Sequence, residues 1–273
     1  FRSADAFYAE GHKHSHEAPK WLHDLGLNAM EYSFGRGVRL GEQAAAKIRQ
    51  QAEEYGIQMS VHAPYFINLA NDAFENNLRY FHESSVAASN LGAGRVVFHP
   101  GSLGKMHKET AFEAVKRNLE LIVREMKSEG FTGLKYCAET MGRASQVGDI
   151  EEVAQLCTID DQVYPAIDFG HLNARTAGGL RGEADYAEVL DILQNVAGEE
   201  KYRNMHVHFS HIEYTAKGER RHLTLEDTEY GPFFPPLARL IAQRGLTPVI
   251  ICESKGTQAH DAVKLQEIYE GML

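Results

Sequence analysis

Nothing in the sequence approaches the roughly 18–20 consecutive apolar residues that span a bilayer, and no secretory leader pattern is visible, so no membrane role is expected. Cysteine is scarce. Cys137, Cys157 and Cys252 are odd in number and widely spaced, which excludes a disulfide framework and argues for reduced core thiols in a cytoplasmic protein. Positive charge is not in excess either. With 28 Lys and Arg against 38 Asp and Glu the chain carries a net charge of −10, which argues against indiscriminate nucleic-acid binding but leaves local patches open. No Pro/Gly/Ser linker or low-complexity stretch divides residues 1–273, so a single domain is expected. No protein partner is evident.

What is present is a regular alternation. Short β-branched or apolar runs occupy 28–33, 58–64, 95–101, 134–140, 163–170, 204–210 and 248–254. Helix-like stretches lie near 17–26, 41–55, 73–92, 107–129, 149–157, 184–197, 234–245 and 260–272. Several begin on signals such as Glu17-Ala18-Pro19 and several stop on Gly, as at Gly92 and Gly245. Repeated strand-then-helix units predict an α/β fold on a parallel sheet. Seven strands against eight helices, the first without a strand before it, predict a single (β/α)₈ TIM barrel whose first strand lies N-terminal to Phe1.

The strand ends carry the chemistry. His62 closes "SVHAP", His99 closes "VVFHP", Glu139 closes "YCAET", Asp168 closes "AIDFG" and Glu253 closes "IICES"; His206 and His208 lie in "MHVHF". Barrel enzymes act at the C-terminal ends of their strands, so six strands in succession aim metal-type side chains at one mouth. Any one of them alone is as well explained by a satisfied core histidine or a helix cap; six together are not. Several carboxylates buried in one place need cations beside them. Mixed His and carboxylate donors suit zinc, with manganese as the alternative. His206 and His208 share strand parity, and His208, nearer the C-terminal end, is the preferred ligand.

The segments "SVHAPYFINLA", "VVFHPGS", "AETMG", "IDFGHLNA" and "IICES" resemble the successive strand-end motifs of endonuclease IV, a family of zinc-dependent apurinic/apyrimidinic endonucleases on a barrel related to xylose isomerase. The resemblance runs from about residue 17 to the C-terminus. It implies two or three zinc ions: one on His62 and His99, bridged by Glu139 to a second on Asp168, His208 and Glu253, and a third on His171 and His222. It also implies hydrolysis of the phosphodiester 5′ to abasic sites in DNA, with Glu139 and Glu253 as the catalytic carboxylates. The family expects an Asp two positions before the third-site histidine, where this chain has Arg220 with Glu219 beside it. Either Glu219 takes the place of that carboxylate, or the third ion is weak or absent. A guanidinium there could also take over some of its work by neutralising a phosphate.

Lys and Arg recur in the segments that follow strands: Arg36, Arg39, Lys105, Lys108, Arg143, Arg175, Arg181, Lys217, Arg220, Arg221 and Lys255. A basic rim on the metal-bearing face suits a DNA-backbone binder, although surface loops contain such residues anyway. Arg36 and Arg39 are the candidate DNA contacts. Tyr65 matches the family's aromatic wedge beside an extruded abasic sugar. His12, His14 and His16 alternate like a metal clip but lie in a polar lead-in, where an ordinary surface role is expected. The rival enzyme is a sugar isomerase or epimerase of the same superfamily, using Glu139, Asp168, His208 and Glu253 around one divalent ion. It would need neither His62 nor His99 as ligands. A third reading, a metal-dependent nucleic-acid binder without catalysis, draws on the Arg220 departure.

Overall fold

The apolar periodicity of the helical stretches has a direct physical outcome. In the computed structural model, which describes residues 5–273, the 21-residue helix from Lys108 to Ser128 buries Ala111, Val115, Leu119, Ile122, Val123 and Met126 along one face. Spacings of three and four keep these residues on one stripe, and each of the larger side chains contributes about 1.5–3 kcal/mol by leaving water.

In chain order the elements are α1 (Asp5–Ala9), α2 (Ala18–Asp24), β1 (Ala29–Ser33), α3 (Glu42–Glu54), β2 (Gln58–His62) and α4 (Phe74–Leu91). Next come β3 (Arg95–Phe98), β4 (Gly101–Ser102), α5 (Lys108–Ser128), β5 (Lys135–Glu139), β6 (Gln146–Val147) and α6 (Ile150–Leu156). The C-terminal half holds β7 (Val163–Asp168), α7 (Phe169–Arg175), α8 (Glu183–Ala197), α9 (Glu199–Arg203) and β8 (His206–Phe209). It continues through β9 (Ile212–Thr215), β10 (Gly218–His222), α10 (Phe234–Arg244), β11 (Val249–Cys252) and α11 (Gln258–Glu270).

Seven strands form one parallel sheet in the order β1-β2-β3-β5-β7-β8-β11, curled so that β1 and β11 approach each other and nearly close a barrel. Between those two strands lies a cavity of about 300 Å³, bounded by Ala29, Met30, Ile250 and Ile251 and floored by Trp21 and Leu22. The eighth strand expected before Phe1 lies outside the described residues.

Two loops hold more structure than the sequence reading allowed. Where a loop was expected after Asp168, α7 begins at once. The Asp168 side chain accepts a hydrogen bond from His171 N at 2.7 Å and caps the helix. Gly170 inside "FGHLNAR" lowers helix propensity and hid this turn of helix from the pattern. The long segment after β8 folds back as an antiparallel hairpin, β9 on β10, that projects over the barrel mouth.

Candidate metal centre

Strand periodicity of two sorts the barrel interior into layers. Tyr164, Val97, Cys137 and Ala166 form a small apolar cluster of their own inside the sheet. Two residues further along their strands stand His99, Glu139 and Asp168, and His62, His208 and Glu253 complete the ring. This cluster makes one side of the layer beneath the donors apolar, and Glu31, Ser60 and His206 fill the other side of the same layer.

Glu139 is the centre of this ring. It is 1% exposed, and its Oε2 lies 3.0 Å from both His62 Nε2 and His99 Nε2. Its Oε1 lies 3.1 Å from His208 Nδ1 and 3.4 Å from His171 Nδ1. One carboxylate therefore faces two donor sets with different oxygens. On the Oε1 side, Glu139, Asp168, His208 and Glu253 each present a ligand atom within 4.8 Å of the others. The structure thus brings together all six strand-end residues named from the sequence, at one end of the sheet.

A third group, His171, Glu219 and His222, meets the same 4.8 Å spacing. Glu219 Oε2 lies 3.5 Å from His171 Nε2, and Glu219 Oε1 lies 3.9 Å from His222 Nε2. Of the two readings left open for this loop, the geometry matches the first: Glu219 stands where a carboxylate was missing. Arg220 and Arg221 turn to the other face of the hairpin and pair with Glu213. The close approach depends on glycine. A Cβ on Gly142 would sit 2.7 Å from Glu219 Cβ, and Gly218, at φ +91°, would place one 2.2 Å from Gly142 O.

The donor chemistry fits divalent cations. Asp168 Oδ2 is buried and accepts no hydrogen bond, since His171 Nδ1, 3.2 Å away, lies 2.9 Å from Thr140 O. Burial, with the charges of Glu253 and Glu139, pushes the Asp168 carboxyl up, as expected of a carboxylate short of positive charge. Burial also works against Glu139, but the imidazoles of His99, His208 and His171 around it hold it well below the carboxylate range. Burial works against charge on His62 too, and Glu139 overcomes it, raising the imidazole to about 9. A divalent cation would supply positive charge to the same carboxylates.

Backbone carbonyls orient two of the rings. His62 Nδ1 lies 2.8 Å from Ala63 O, so a proton there leaves Nε2 to face Glu139. His171 uses Thr140 O in the same way and turns Nε2 to Glu219. Such contacts are characteristic of metal-ligating histidines. One participant escaped the sequence reading. Glu31, 8% exposed on β1, lies 3.0 Å from both His206 and His208. Its place in the alternating "AMEYS" was the available signal, masked because a strand end was the criterion.

The basic rim is thinner than the sequence implies. Lys108 is paired with Asp149 and Glu152, and Arg175 donates to the carbonyls of Met141, Arg143 and Gln146. Arg36, Arg39, Lys105, Arg143, Arg181, Lys217 and Lys255 are exposed. Tyr65 N donates to Gly35 O, which sets Tyr65 beside Arg36; it is 48% exposed and packs on the equally exposed Phe66, with ring centroids 4.9 Å apart. The histidine lead-in is held by local packing: His12 stacks on Phe7, and His14 on His16.

The family model described as "Xylose isomerase-like TIM barrel" matches residues 19–270. The chain belongs to this family. An uncharacterized protein of Methanocaldococcus jannaschii is 34% identical over 251 residues, 91% of this chain and 89% of that protein. A protein of Staphylococcus carnosus named probable endonuclease 4 is 30% identical over 177 residues, 62% of this chain and 57% of its own length. Among solved structures, endonuclease IV from Thermus thermophilus aligns at TM-score 0.69 and 21% identity, covering 94% of this chain and 93% of that one. A D-tagatose 3-epimerase-like protein aligns at 0.70 and 21%, covering 90% and 88%. Fold likeness therefore does not separate nuclease from epimerase; the donor set has to. Among the described residues no helix is long and apolar enough to cross a membrane.

Proposed function

We propose that this family member is a divalent-metal-dependent phosphodiesterase that cleaves DNA on the 5′ side of abasic sites, with zinc as the preferred ion and manganese as the substitute. The observation that carries the reading is the division of Glu139, whose Oε2 faces His62 and His99 while Oε1 faces His208. A bridging carboxylate between two donor sets serves two-ion hydrolysis, and a single-ion epimerase has no use for the His62–His99 pair.

His62, His99 and Glu139 would hold one ion, Glu139, Asp168, His208 and Glu253 a second, and His171, Glu219 and His222 a third. Ions so held would supply a nucleophilic water at neutral pH and would offset the charge that develops on a phosphate. The chain's own residues do the rest. Arg36 and Arg39 anchor the phosphate backbone, and Tyr65 offers a ring against which the duplex can stack where a base is missing. Glu139 and Glu253, which share one donor set, would fix the surroundings of the reacting phosphate.

The second reading, a sugar epimerase, draws on the likeness to the D-tagatose 3-epimerase-like protein and on the four-residue set around Oε1. Nicking of a duplex containing one abasic site, with a ketose assayed in parallel, separates the two. Cleavage of the duplex without ketose turnover supports the nuclease; ketose turnover without cleavage overturns it.

A further inference from the structure

On the side of β1, β2 and β8, the layer below the metal donors is polar where packing alone would make it apolar. Glu31 of β1, Ser60 of β2 and His206 of β8 meet there, all 8% exposed or less. Ser60 Oγ donates to Glu31 Oε2 at 2.9 Å, and His206 Nε2 lies 3.0 Å from the same oxygen. The other oxygen, Oε1, lies 3.0 Å from His208 Nε2. Burying a carboxylate is costly, and three neighbours on two strands are arranged around this one.

His208 differs from His62 and His171. His62 and His171 turn Nε2 to the carboxylates and give Nδ1 to a backbone carbonyl. His208 is reversed: Nδ1 lies 3.1 Å from Glu139 Oε1 and 3.6 Å from Glu253 Oε1, and Nε2 points back into the barrel. What meets that nitrogen is a carboxylate rather than a carbonyl.

We propose that Glu31 is the positioning residue of His208: its charge, 3.0 Å from Nε2, keeps the ring proton on that nitrogen, leaves Nδ1 as the ligating nitrogen, and strengthens the ion held with Asp168 and Glu253. The Ser60 hydrogen bond holds the Glu31 carboxylate, with His206 beside the same oxygen, so that Oε1 is presented to His208. A carboxylate behind an imidazole makes the ring a more basic ligand than a carbonyl does, so the Glu31 side of the centre is the tighter one. This rests on the metal reading above, and the experiment keeps the two separable.

The test is zinc titration of metal-free protein by calorimetry, wild type against Glu31→Gln, together with ¹⁵N imidazole NMR of His208 in the zinc-loaded wild type. Glu31→Gln keeps a side-chain oxygen and removes the charge, and the expected result is a loss of about 10–100-fold in affinity for one ion only. The expected spectrum has the His208 proton on Nε2 and zinc on Nδ1. Wild type that binds two or more ions, with Glu31→Gln binding all of them equally well, overturns the role of Glu31 and leaves the metal centre standing. A spectrum with zinc on Nε2 does the same without any variant, so a poorly folding Glu31→Gln does not protect the idea. Wild type that binds no zinc overturns the metal reading itself.

Discussion

Glu219 Oε2 lies 3.5 Å from His171 Nε2, while Arg220, the next residue, points away to Glu213. A β-bulge between Glu219 and Arg221 turns both Arg220 and Arg221 to Glu213, so the carboxylate at 219 and the guanidinium at 220 do not compete for one site. The arginine in the expected carboxylate's register is therefore harmless to the centre, and the acid one position earlier does its work. Glu219→Gln is expected to weaken one bound ion by about 10–100-fold, as a lost anchoring contact does, whereas Arg220→Ala leaves metal affinity unchanged. Calorimetry on the two variants checks this; equal effects would contradict it.

Gly142→Ala tests the same corner without touching a donor. Its Cβ would lie 2.7 Å from Glu219 Cβ and 3.0 Å from His171 Cδ2, so Glu219 has to move. Overpacking of this kind costs about 1–3 kcal/mol. The expected outcome is a lower Tm and a selective loss of the ion near His222, with the ions on Glu139 retained.

Glu253→Gln removes charge from a donor that shares no contact with the basic rim. Abasic-duplex binding should persist while cleavage falls by orders of magnitude, read as single-turnover rate against equilibrium affinity. Arg36→Ala should do the reverse. It weakens binding at every salt concentration and lowers the slope of log affinity against log salt by about 1, one phosphate contact.

Metal removal should reverse the pH response of stability. In the metal-free protein His62 is raised from 6.5 to about 9, so its contribution is complete below pH 6.5 and is lost as pH climbs through 9. Zinc competes for the same nitrogen and binds better as protons leave. The Tm of metal-free protein should therefore fall between pH 6.5 and 9, and that of zinc-loaded protein should not.

Much of this was legible in the sequence because barrel strands write their chemistry at their ends. "VVFHP", "YCAET" and "IICES" each state an apolar strand and then a donor, and all seven strands and eight helices read from periodicity lie within a few residues of the observed ones. The misses share a cause: they depend on contacts between segments distant in sequence. Glu31 matters through His208, which lies most of the chain away, and reads in isolation as an odd polar residue in "AMEYS". Glu219 became assignable only once the hairpin fixed which face each residue takes. Helix α7 was hidden because Gly170 weakens its local signal while the Asp168 cap restores it. The rim was overcounted, since a lysine or arginine after a strand is as available to a neighbouring acid, as Lys108 is to Asp149, as to a phosphate.

The most direct test of the central claim is metal content measured on the same preparation that is assayed for nicking of a duplex carrying a single abasic site. The account predicts at least two divalent ions per chain, loss of both ions and activity on chelation, and cleavage 5′ to the site. One ion per chain, with ketose epimerisation and an intact duplex, would contradict it.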